Sequence, residues 1–75
     1  MYHTIAFTAA VQVDLEISPK HRLEQTLLRQ GTRCEVQIKP SVVESDDGPV
    51  EVADLFFADG SVARGVPFAC FSFVE

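Results

Sequence analysis

Residues 3–17 alternate with period two from end to end, and no other feature limits the fold as tightly. Ile5, Phe7, Ala9, Val11, Val13, Leu15 and Ile17 take one side, while Thr4, Ala6, Thr8, Ala10, Gln12, Asp14 and Glu16 take the other. Side chains that switch faces at every residue belong to a strand with one buried face. At about 3.3 Å per residue the run would exceed roughly 40 Å, long for a small domain. The expectation is a bend or bulge near Ala9-Ala10, where the side chains are small. No turn residues interrupt the run, so one bent strand is preferred to a hairpin.

A helix is expected next, over Pro19–Gln30. Ser18 would cap its free N–H groups, and Pro19 suits the first helical position, where a missing donor costs nothing. Leu23, Leu27 and Leu28 form an apolar stripe at helical spacing. Gly31 follows at the position where a left-handed residue ends a helix, and Arg29 sits in the last turn.

Alternation returns over residues 33–39, with Cys34, Val36 and Ile38 on one side. Pro40 is expected to end or kink that strand, with Val42 and Val43 continuing it toward Glu44. Asp46-Asp47-Gly48-Pro49 reads as a turn in which Pro49 stops the pairing. Val50 to Phe57 and Ser61 to Val66 then read as a hairpin about a two-residue Asp59-Gly60 turn. That register sets Phe57 opposite Val62, Leu55 opposite Arg64 and Asp54 opposite Gly65. Phe68 to Val74 is a last extended run after Pro67.

The expected order is β-α-β-β-β in one domain spanning residues 1–75. It is an α+β two-layer sandwich, with one helix on a largely antiparallel sheet of four or five strands. A small, strongly bent β-barrel with one helix is the alternative. The stretch Asp59-Gly60-Ser61-Val62-Ala63-Arg64-Gly65 resembles the strand-turn-strand of Sm-like barrels over seven residues. The resemblance implies RNA binding. Those barrels carry their helix before the first strand, whereas here a long strand comes first.

Charge runs against that reading. Six Lys and Arg face eleven Asp and Glu, for a net charge of −5, and phosphate backbones are bound largely through cations. Residues 1–39 are nearly balanced, with Lys20, Arg22, Arg29, Arg33 and Lys39 against Asp14, Glu16, Glu24 and Glu35. Residues 40–75 hold Arg64 against Glu44, Asp46, Asp47, Glu51, Asp54, Asp59 and Glu75. A basic protein partner is therefore expected, and nucleic acid is not. No apolar run reaches the roughly 18 residues that span a membrane, so none is expected. No secretion signal is seen, and Cys34 and Cys70 are too few for a disulfide framework; a cytoplasmic chain with reduced thiols is expected.

Chemistry-bearing constellations are sparse. His3 and His21 stand near no evident nucleophile, and both cysteines lie inside apolar alternation, which raises a thiol's pKa. His3, His21, Cys34 and Cys70 lack zinc spacing, and Glu44, Asp46 and Asp47 lack the ligand period of a calcium loop. No metal, cofactor or catalytic residue is assigned.

The informative oddity is aromatic. Phe56 and Phe57 are adjacent and must face opposite ways, and Phe71 and Phe73 oppose Phe68 and Cys70. Both faces of two strands are apolar, which one helix cannot cover. The leading expectation is a small acidic, non-enzymatic interaction module acting as a homodimer, with Phe7, Phe56, Phe71 and Phe73 at the interface. The alternative is a domain that binds a small apolar ligand, or is weakly catalytic, with those phenylalanines lining a pocket and Asp54, Arg64 and His21 at its mouth. An Sm-like RNA-binding barrel comes third.

Overall fold

In the computed structural model, which describes residues 1–17 and 22–74, the chain is built from strands and one 3-10 turn. The strands are β1 (His3–Phe7), β2 (Val11–Ile17), β3 (Arg22–Leu28), β4 (Arg33–Ser45), β5 (Gly48–Phe57), β6 (Val62–Pro67) and β7 (Phe71–Phe73). The 3-10 turn, Phe68–Cys70, links β6 to β7. The seven strands form one antiparallel sheet in the order β3-β2-β6-β5-β4-β1-β7, curled into a half-barrel. The α+β sandwich is therefore corrected to an all-β half-barrel, and the one-helix barrel loses its helix.

The long alternating run is two strands. It bends at Thr8–Ala10, and its halves do not pair with each other. β1 lies between β4 and β7, while β2 lies between β3 and β6. The bend carries the chain from one side of the sheet to the other. Backbone bonds from Phe7 N–H to the Thr32 carbonyl (2.9 Å) and from Thr8 N–H to the Cys70 carbonyl (2.8 Å) hold the corner.

The expected helix is a strand over its described part. Residues 22–28 pair one by one with β2, from Ile17↔Arg22 to Val11↔Leu28. Leu23 and Leu27 are four apart, a spacing that fits both a helix turn and two strand repeats. Leu28 breaks the ambiguity by pointing the other way, into the core. Seven cross-strand pairs to β2 outweigh the helix propensity of Leu, Glu, Gln and Arg. Gly31 (φ +88°) turns β3 into β4 and caps no helix. The expected cap, Ser18-Pro19, lies outside the described residues.

Neither Pro40 nor Pro49 stops its strand. β4 runs through Pro40, opposite Ala53, and pairing continues through Glu44↔Pro49 to Ser45↔Gly48. The turn is Asp46-Asp47 alone, and the Ser45 hydroxyl donates to the Gly48 carbonyl at 2.7 Å.

The core lies on the concave face. Ile5, Phe7, Val13, Val36, Ala53, Leu55, Ala63, Val66 and Phe71 are buried there, with Leu28, Ile38, Phe57 and Phe68 packed around them. Curling lets one sheet bury its own inner face, so no helix is needed.

Candidate functional site

The β5–β6 hairpin sets the geometry of a cross-strand ion network. Its loop has three residues, Ala58-Asp59-Gly60, and not two. Phe57 N–H donates to the Ser61 carbonyl at 2.9 Å, and Gly60 N–H returns to the Phe57 carbonyl at 3.0 Å. The extra loop residue shifts the register by one, so Leu55 faces Ala63 and Phe56 faces Val62. Each strand then keeps its core residues on one face, whereas the expected Leu55–Arg64 pairing would have put a cation inside. Asp59 fixes the loop by accepting from the Ser61 N–H (2.9 Å) and hydroxyl (2.6 Å). Those hydrogen bonds hold its carboxyl below the ordinary aspartate range.

The original register resumes at Ala53↔Val66. The change is absorbed by a bulge in which Arg64 and Gly65 together oppose Asp54. Gly65 takes φ +69°, and its N–H, released from the ladder, donates to Asp54 Oδ1 at 3.0 Å. The bulge turns Arg64 onto the outer face. There its Nε lies 3.1 Å from Glu16 Oε2 on β2, and a terminal nitrogen lies 3.4 Å from Asp54 Oδ2 on β5. One guanidinium so joins three strands.

The same bulge opens a groove. β2 and β6 pair only at Leu15↔Ala63 and Glu16↔Val62. Beyond the bulge they part, leaving about 360 Å³ lined by Val11, Asp14, Glu16, Leu23, Arg64 and Pro67 among others. Among the described residues its lining holds neither histidine nor thiol, and the one cation there already serves two carboxylates.

The expected site residues fall in several places. Phe7 and Phe71 are buried in the chain's own core, with ring centroids 6.2 Å apart. Phe73 follows Phe71 at 6.4 Å but is 53% exposed, at the β7 edge beside His3. Phe56 shares the outer parity of Asp54, away from the other three. The four phenylalanines do not line one pocket. Asp54 and Arg64 do meet, across the bulge and not at an aromatic mouth. His21 lies outside the described residues. Arg22 and Arg29 stand at opposite ends of β3, about 20 Å apart along the strand, and Arg22 pairs with Glu24 at 3.6 Å. No group of three or more histidine, cysteine or acidic side chains able to hold a metal occurs among the described residues. No helix there is long and apolar enough to cross a membrane. Burial, with the Asp59 charge added, pushes the Cys34 thiol up, away from a reactive thiolate.

Two surfaces were not expected. Among the described residues β3 is an outer strand with no neighbour beyond it, and its outward leucines, Leu23 and Leu27, are 66% and 49% exposed. The far part of the β4–β5 hairpin projects past its neighbours, with Val42 and Val43 at 59% and 46% exposed. β1 accompanies β4 only to Val36, and β6 joins β5 only from Val52. Residues 42–45 and 48–51 are thus a free two-stranded ribbon. Its signal in the sequence was the adjacent pair Val42-Val43 next to an acidic turn.

Compared with protein-family models, with curated proteins and with solved structures, the chain matches none.

Proposed function

We propose that the protein is a non-enzymatic interaction module that works as a homodimer, joined edge to edge through β3. The observation that carries this reading is the open edge of β3 with two outward leucines. A seven-residue edge strand with apolar side chains is a template for further pairing, and natural monomers guard such edges with proline, bulges or inward charge. Described β3 has no proline, its ladder to β2 is unbroken, and its two core-side charges, Arg22 and Glu24, are paired with each other at 3.6 Å.

The strand is also self-complementary. In an antiparallel pair about a two-fold axis at Gln25, Leu23 of one copy faces Leu27 of the other, twice. Glu24 faces Thr26, and Arg22 faces Leu28, so no like charges stand directly opposite. Moving the axis to Glu24 would set two carboxylates against each other. The result is a continuous sheet through both copies, with each half-barrel keeping its own core.

Sedimentation equilibrium tests the reading. The parent is expected to be a dimer and Leu27→Lys a folded monomer, since Leu27 is largely outside the core. A parent that stays monomeric at millimolar concentration overturns it. So does a dimer that neither Leu23→Lys nor Leu27→Lys weakens.

A further inference from the structure

We propose that the free ribbon of β4 and β5 binds an extended, lysine- or arginine-rich segment of another protein, on a surface separate from β3. Charge complementarity selects the occupant. No Lys or Arg occurs between Lys39 and Arg64, while the ribbon and its turn carry Glu44, Asp46, Asp47 and Glu51. Nucleic acid would meet like charge there.

The ribbon's core-side parity supplies the rest. Pro40, Val42, Glu44, Pro49 and Glu51 share that side through the pairs Pro40↔Ala53, Val42↔Glu51 and Glu44↔Pro49. A groove of about 240 Å³ lies at the ribbon's base, lined by Pro40, Ser41, Val42, Glu51 and Phe68. Its floor is apolar and a carboxylate stands in its wall. That combination fits a lysine or arginine, whose aliphatic stem lies on apolar surface while its head meets an acid. The Phe68 ring offers a further site of attraction for a cation. Along the free ribbon neither strand has an outer neighbour among the described residues, and residues 42–45 of β4 hold no proline, so a bound segment can add there as a third strand through main-chain hydrogen bonds. Same-face side chains of such a segment recur every second residue, in step with Val42 and Glu44.

The test is amide chemical-shift mapping of the full chain with a short peptide of alternating lysine and threonine. Shifts are expected over residues 40–51 and Phe68. Val42→Lys combined with Glu51→Lys should weaken binding at least about tenfold. Gln12→Lys combined with Asp14→Lys makes the same charge change on the outer face of β2, and should alter binding by less than about twofold. Glu51→Gln alone should weaken it about threefold, should the double variant lose its fold. Absence of binding overturns the proposal, as do shifts spread over all acidic surfaces or an equal loss in both double variants. Concentration-dependent shifts at residues 40–51 together with Arg29 and Arg33, in the absence of peptide, would make a second copy the occupant and also overturn it. Failure of the β3 dimer would leave these readouts unchanged, because β2 and β6 separate β3 from the ribbon.

Discussion

Two residues decide how the β5–β6 hairpin is set, and each can be tested alone. Gly65 holds φ +69° at the bulge, and a Cβ built there would meet nothing within 4 Å. The cost of Gly65→Ala is therefore conformational and not steric. It should destabilise by about 1–2 kcal/mol, the cost of forcing an L-residue into the left-handed region. Gly65→Asn should cost less, since asparagine visits that region more readily. Urea denaturation would measure both, and an alanine variant as stable as the parent would refute the bulge. Asp59 is the second residue. Its folded carboxyl titrates below the unfolded one, so its contribution is complete above the unfolded aspartate pKa and is lost as pH falls through the lower folded value. Acid should then loosen the loop. Asp59→Asn should flatten that part of the stability–pH curve, and an NMR titration of the Ser61 amide should report the same transition in the parent.

At the level of elements, the strand reading of residues 22–28 makes an opposite prediction from the helix reading. Gln25 is exposed, so replacing it by valine tests backbone preference with little repacking. In a strand, Gln25→Val should stabilise the chain by about 0.5 kcal/mol, whereas in a helix it would destabilise it. The comparison belongs at low protein concentration, where dimerisation does not contribute. What the sequence made legible follows the same logic. Period two over 3–17 and 33–39 has no helical counterpart, and the strands there are found with their apolar faces inward. The bend at Thr8–Ala10 was marked by small residues. The spacing of Leu23 and Leu27 was ambiguous, and the Ser18-Pro19 and Gly31 signals tipped it toward a helix. Only cross-strand pairing with the preceding strand β2, from Ile17↔Arg22 to Val11↔Leu28, decides otherwise, and the helix propensities within residues 22–28 do not report it. Asp54 and Arg64 were grouped from the sequence only as polar residues at one pocket mouth. Their link to Glu16 was not legible, because it depends on β2 lying beside β6, a neighbour relation between segments 48 residues apart.

The whole molecule divides into a core that folds and a ribbon that does not contribute to it. Its Cα atoms span 36 × 30 × 23 Å with a radius of gyration of 12.2 Å. Within that envelope no residue from Gln37 to Glu51 is among the buried core. A two-stranded ribbon in water is marginal by itself, so this one holds its shape by extending β4 and β5 from the sheet. Removing residues 43–50 and joining Val42 to Glu51 through Asn-Gly should therefore spare the fold. Asn-Gly suits a two-residue turn whose ends already face each other, as Val42 and Glu51 do. Closing the shorter hairpin also lowers the loop entropy slightly. The expected change in stability is within about 1 kcal/mol, or a shift in Tm of no more than roughly 4–8 °C. The shortened chain should still dimerise through β3 and should bind the lysine–threonine peptide more weakly, because Glu44, Asp46, Asp47 and the free strand edges are gone while the groove of Pro40, Val42, Glu51 and Phe68 stays. If it unfolds instead, the ribbon has a structural duty that its exposure does not reveal. If it folds and binds peptide as tightly as the parent, the ribbon beyond Val42 is no part of the binding surface.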